Sequence, residues 1–213
     1  IPWFEPFHQK GIKCIPVVPN VKLAQRVQAH GADALIVEGM EAGGHDGKLT
    51  LMALLENVLP DIEIPVIAAG GITDGRGIAA SLLMGASGVQ MGTRFLLAEE
   101  CSLHPKAKDA IMAAADTDSV VTGFTTGDSV RGLKNRFSDR YLKAEYSGAS
   151  PDELSSISAG TTKRGALFGD TENGFILAGM SLTHLTKIQS AKEIVEELVS
   201  ETERRLAAAP GLI

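Results

Sequence analysis

The run Glu38-Gly39-Met40-Glu41-Ala42-Gly43-Gly44-His45 holds two carboxylates, two adjacent glycines and an imidazole within eight positions. It follows directly on the apolar run Ala34-Leu35-Ile36-Val37, which reads as a strand. Adjacent glycines let a backbone turn tightly and come close to a flat ligand. An imidazole is the side chain suited to moving protons near neutral pH. By itself such a loop is more often just a turn with an exposed histidine. Two later runs repeat the construction. Ala68-Ala69-Gly70-Gly71-Ile72-Thr73-Asp74 joins an apolar run to a helix start, where backbone N–H groups and the helix dipole favour an anion. Asp74 would repel that anion and reads as the helix cap. Gly88-Val89-Gln90-Met91-Gly92-Thr93 ends on a glycine for close approach and a threonine with a hydroxyl and an amide to offer. Either run alone is also ordinary turn chemistry. Both together, followed by a tail without repeats, favour a phosphate site.

The elements that must position these groups alternate through the first half. Ile12 to Val18, Ala32 to Val37, Ile64 to Ala69 and Gly88 to Met91 read as strands. Between them lie helices over Val21–His30 (Leu23, Ala24 and Val27 inward), Thr50–Leu59 (Leu51, Leu54, Leu55 and Val58 inward) and Asp74–Gly85 (Ile78, Ala79, Leu82 and Leu83 inward). The strands are near-continuous apolar runs, the mark of a parallel sheet covered on both faces. Such βα units give an open doubly wound sheet or part of a closed barrel. In a (β/α)8 barrel the ligand phosphate sits on the loops after the last two strands, which the two glycine runs match if these units are strands five to eight.

The second half breaks the rhythm. Residues 99–115 read as a helix with a break at Pro105, and residues 116–131 as a loop with one short strand. Residues 138–174 are rich in Ser, Gly, Thr and charge, with one helix starting at the capping box Ser150-Pro151-Asp152-Glu153. The last helix starts at the capping box Ser190-Ala191-Lys192-Glu193 and carries Ile194, Val195, Leu198, Val199 and Leu206 as its buried stripe.

Net charge −6 argues against a nucleic-acid binder or a basic membrane-surface module. No apolar run reaches the roughly 18 residues of a spanning helix. Cys14 and Cys101 are the only cysteines and lack metal-ligand spacing, so no metal and a reducing, cytoplasmic setting are expected. Arg131, Lys134, Arg136, Arg140 and Lys143 cluster with only Asp139 among them. That cluster is either a docking patch for an acidic partner or a solvated face.

The segments Ile15-Pro16-Val17-Val18-Pro19, Glu38 to Thr50, Ile64 to Gly77 and Met91 to Phe95 closely resemble the FMN-dependent enoyl-acyl-carrier-protein reductase II family. They also resemble its relatives, the nitronate monooxygenases (2-nitropropane dioxygenases). The resemblance implies a TIM barrel with FMN at the carboxyl ends of the strands. It places Gly70, Gly71, Gly92 and Thr93 at the FMN phosphate, Glu38, Gly43 and Gly44 along the ribityl chain and ring, and His45 as the active-site histidine. It implies NADH or NADPH as reductant, a trans-2-enoyl thioester on acyl carrier protein or CoA as substrate, and a homodimer. Gly47-Lys48-Leu49-Thr50 and Ser129-Val130-Arg131-Gly132-Leu133-Lys134-Asn135 lie on the reductase side. Thr125 to Asp128 and Met180 to His184 depart from it, which keeps the nitronate monooxygenase reaction as the alternative.

On this reading residues 1–115 are the C-terminal half of the barrel, about four βα units, and roughly 100 preceding residues would complete it. Residues 116–180 are a small substrate- or nicotinamide-side domain, and 181–213 are helices packing back on the barrel.

Overall fold

The computed structural model describes residues 1–212. The chain forms two compact units. The first comprises residues 1–41, 47–91 and 195 onward; the second comprises 42–46 and 92–194.

The first unit is an α/β arrangement with a parallel sheet. Its elements are α1 (Phe4–His8), β1 (Val17–Val18), α2 (Val21–Ala29) and β2 (Leu35–Glu38). After the excursion β3 (Gly44–His45), which belongs to the second unit, come α3 (Leu51–Val58), β4 (Val66–Ala69), α4 (Gly75–Leu83) and β5 (Gly88–Gln90). The sheet order is β1-β2-β4-β5, every pair parallel. Val18, Leu35, Val37, Val66 and Ala68 from the strands meet Ala24, Val27, Leu54, Leu55 and Val58 from α2 and α3 in one core. The α3 stripe falls where the spacing predicts, with all four of Leu51, Leu54, Leu55 and Val58 buried. On α4 the expectation fails in part: Ala79 is buried, but Ile78 and Leu82 are only half-buried and Leu83 is exposed. The buried residues of this helix are instead the small Gly75, Ala79 and Ser81, and a Cβ on Gly75 would lie 2.6 Å from the Glu201 Cβ.

The second unit holds α5 (Thr93–Leu96), α6 (Pro105–Ala113), β6 (Ser119–Thr122), β7 (Val130–Leu133), α7 (Arg136–Tyr146), α8 (Pro151–Ser158) and α9 (Thr161–Phe168). A further helix, α10, runs over Ala191–Ala208. The strands β3, β7 and β6 make an antiparallel sheet in that order. Pro105 starts α6 at the first helical position, with His104 as the cap; its missing N–H is one that helix starts leave unpaired anyway. Residues 116–131 contain one strand and the start of a second, because β6 and β7 form a hairpin. Where one helix was expected over 138–174, α7, α8 and α9 cover most of the segment. Phe137, Tyr141, Leu154 and Phe175 bury together there, and that packing sustains helices which composition alone disfavours. On α10, Ile194 and Leu198 are buried while Val195 and Val199 are exposed, so the stripe is narrower than the periodicity suggests. Among the described residues no helix is long and apolar enough to cross a membrane.

Candidate functional site

In the first unit the register pairs Glu38 with Ala69 and Ala69 with Gln90. The carboxyl ends of β2, β4 and β5 therefore lie side by side, which brings Glu38, Gly70, Gly71 and Met91 to one sheet edge. Gly70 and Gly71 take φ of +100° and +70°, a conformation that side chains disfavour and glycine permits. The start of α4 is already occupied. Asp74 accepts the N–H of Arg76 at 2.9 Å and of Gly77 at 3.1 Å, and Glu201 accepts that of Gly75 at 2.9 Å. The anion attraction expected of this helix end is thus answered by the chain's own carboxylates. Partial burial would raise the Asp74 carboxyl, but the Arg76 guanidinium and the helix amides outweigh it and hold the group below its ordinary range.

In the second unit Thr93 and Gly43 meet the same piece of chain. The Thr93 Oγ1 accepts the N–H of Gly179 at 2.9 Å. A Cβ on Gly43 would lie 2.6 Å from the Ala178 carbonyl carbon and 2.7 Å from the Gly179 nitrogen. Gly43 is thus required for close packing of two backbones. Gly44 and Gly92 differ: a Cβ on Gly44 would meet only the Leu177 Cδ1 at 4.0 Å, and one on Gly92 nothing within 4 Å.

His45 lies opposite Val130, and Gly44 opposite Arg131, in the β3–β7 ladder. The His45 ring is 77% exposed, with Nε2 3.2 Å from Oδ1 of the equally exposed Asp128. The next residue, Asp46, turns inward. Its Oδ2 lies 3.6 Å from Nη2 of Arg131, and the two side chains are 3% and 5% exposed. Its Oδ1 is buried without a hydrogen bond. Burial raises the Asp46 carboxyl, and the Arg131 charge offsets this only in part. The expected basic cluster consequently loses Arg131 to the interior, while Lys134, Arg136, Arg140 and Lys143 stay exposed. An arginine next to other cations in sequence looks like surface charge until its buried partner is known.

The remaining histidines and cysteines fall away from this chemistry. His8, Cys14 and Asp33 bring ligand-type atoms within 4.8 Å of one another in the first unit, a grouping their spacing does not reveal. Asp33 there already accepts from the Cys14 N–H at 2.8 Å, Lys13 Nζ at 2.7 Å and His8 Nε2 at 2.9 Å, so Lys13 supplies the cation. His104 caps α6 by accepting the Lys106 N–H, and His184 is exposed.

The sequence pattern of the nitronate monooxygenase family matches residues 4–201, and the chain belongs to that family, one of flavin-dependent oxidoreductases. Over 205 residues it is 34% identical to a probable nitronate monooxygenase of Staphylococcus aureus (strain MSSA476), which covers 91% of this chain and 57% of that protein. The chain therefore spans little more than half the length of this relative. The structure of FabK from Thermotoga maritima matches with a TM-score of 0.96 at 38% identity, over 100% of this chain and 68% of that one. The nitroalkane oxidase from Streptomyces ansochromogenes matches with a TM-score of 0.84 at 30% identity, over 97% of this chain and 62% of that one.

Proposed function

We propose that this chain is part of an FMN-dependent enoyl-thioester reductase that draws on NADH or NADPH, and that its parallel strands belong to a (β/α)8 barrel. The observation that carries the reading is the match to FabK, an enoyl-acyl-carrier-protein reductase II, along the whole chain. The glycines support a flavin phosphate. Gly70 and Gly71 turn with positive φ beyond β4, and a Cβ at Gly92 would meet nothing within 4 Å.

When bound and reduced by NADH or NADPH, FMN would supply the hydride that a trans-2-enoyl thioester receives at its β-carbon. The chain's own groups bind and handle protons. Gly70, Gly71 and Gly92 would hold the phosphate. Thr93, whose oxygen accepts from Gly179, retains its own hydroxyl hydrogen to donate. Glu38, Gly43 and Gly44 would hold the ribityl chain and ring. His45 holds a proton toward the thioester oxygen, where negative charge develops, or delivers one to the α-carbon.

A second reading, a nitronate monooxygenase using FMN and oxygen, is favoured by the Staphylococcus relative and the nitroalkane oxidase. The visible spectrum of the purified protein decides between them. Anaerobic bleaching by NADH, with colour restored by a trans-2-enoyl-CoA, is expected. Bleaching by an alkyl nitronate but not by NADH would establish the second reading, and a colourless protein that takes up no FMN would remove both.

A further inference from the structure

We propose that Asp128 is a positioning residue for His45, fixing which ring nitrogen carries the proton. The inference deepens, and rests on, the reading of His45 as the proton-handling side chain. Nε2 of His45 and Oδ1 of Asp128 stand 3.2 Å apart. An ionised carboxylate only accepts hydrogen bonds. In the neutral ring it therefore selects the Nε2–H tautomer and leaves the Nδ1 lone pair available; in the charged ring it leaves Nδ1–H to donate.

A pair this exposed contributes little to stability, and between two freely moving chains it would orient nothing. Here both backbones are held from beneath by buried carboxylates. On the His45 side, β3 is paired with β7, the Asp46 N–H donates to the Ser129 carbonyl at 3.2 Å, and the Asp46 side chain meets Arg131 in the interior. On the other side, Asp128 sits in the 123–129 loop between β6 and β7. Glu145 of α7, itself 4% exposed, accepts the N–H of Gly123 at 3.2 Å and the N–H and hydroxyl of Thr125 at 2.8 and 2.9 Å. The Thr126 hydroxyl and the Asp128 N–H both donate to the Gly123 carbonyl, at 2.9 and 3.2 Å. Gly123, at φ +79°, has no room for a Cβ against the Asp128 carbonyl. Two residues on, Val130 pairs with His45 itself. The carboxylate thus leaves a tied loop beside the ring, and Glu145 sets its place through that loop.

The test uses the flavin-bound protein labelled with 15N-histidine, with the His45 ring signals identified by their loss in His45→Ala. Ring nitrogen shifts of the neutral imidazole report the tautomer. One dominant Nε2–H tautomer is expected in the parent and a mixture in Asp128→Ala. Turnover of the enoyl thioester should fall about 10-fold in that variant, with no further loss when it is combined with His45→Ala. A tautomer unchanged by Asp128→Ala overturns the proposal, whatever turnover does, and so does an equal loss of turnover in the His45→Ala background. If the tautomer shifts while no enoyl thioester is reduced, the role of Asp128 stands and the reductase reading fails.

Discussion

Arg131 and Asp46 form an ion pair across the β3–β7 ladder end, 3.6 Å from Nη2 to Oδ2, with both side chains nearly sealed from solvent. Removing one partner of such a pair leaves an uncompensated charge in the interior. Arg131→Met is expected to lose about 3–5 kcal/mol, and adding Asp46→Leu to recover most of it. Urea unfolding measures both; an Arg131→Met protein as stable as the parent would show that Asp46 has no need of that charge.

An added methyl group meets different surroundings at Gly43 and at Gly92. A methyl group at Gly43 lands 2.6 Å from the Ala178 backbone, so Gly43→Ala should cost about 1–3 kcal/mol of stability. At Gly92 φ is −102° and a Cβ meets nothing within 4 Å, so Gly92→Ala should change stability by no more than about 0.5 kcal/mol. In the proposed phosphate site the same methyl group would crowd the ligand, and FMN affinity should drop about tenfold, or roughly 1.4 kcal/mol. Unfolding curves and FMN titration read the two effects independently. Parent-like FMN binding by Gly92→Ala would take Gly92 out of the phosphate site.

His45→Ala should retain FMN and slow turnover at least ~100-fold, the usual loss for a general acid. Stopped-flow reduction and re-oxidation of the flavin locate the loss. Substrate-driven re-oxidation at the parent rate would exclude a proton role for His45.

Asp33 gives the fold a pH dependence. The Cys14 amide, then Lys13 and His8, hold its carboxyl far below the usual carboxylate range. The folded value lies below the unfolded one, ~3.9. Its contribution is therefore fully present above about pH 4 and is lost as pH falls through the folded value. Asp74 acts in the same sense, and Asp46, whose carboxyl is raised, in the opposite one. Thermal melts between about pH 6 and pH 2 should show a shallower acid-side decline for Asp33→Asn than for the parent. Parallel declines would assign the acid sensitivity elsewhere.

Local chemistry was legible wherever the partners are close in the chain. The boxes Ser150/Glu153 and Ser190/Glu193 and the Asp74 cap form as their spacing predicts. So does the α3 stripe, because helix periodicity brings residues three and four apart onto one face. The apolar runs that read as parallel strands lie next to one another in the sheet for the same kind of reason: a run buried on both faces announces itself by composition.

Contacts made by residues distant in sequence decided the rest. Leu83, Val195 and Val199 sit at core-like periodic positions yet are exposed, since periodicity says which side chains share a face but not what covers it. The helix α7 lies in a stretch whose composition reads as loop, and its Phe137 and Tyr141 bury with Leu154 and Phe175. Arg131 left its row of surface cations for Asp46, Thr93 met Gly179, and Asp128 came to His45. Short-range hydrogen bonding and side-chain pattern are written along the chain. The pairing of charges far apart in it depends on which surfaces the folded backbone brings together, and only the tertiary structure holds that.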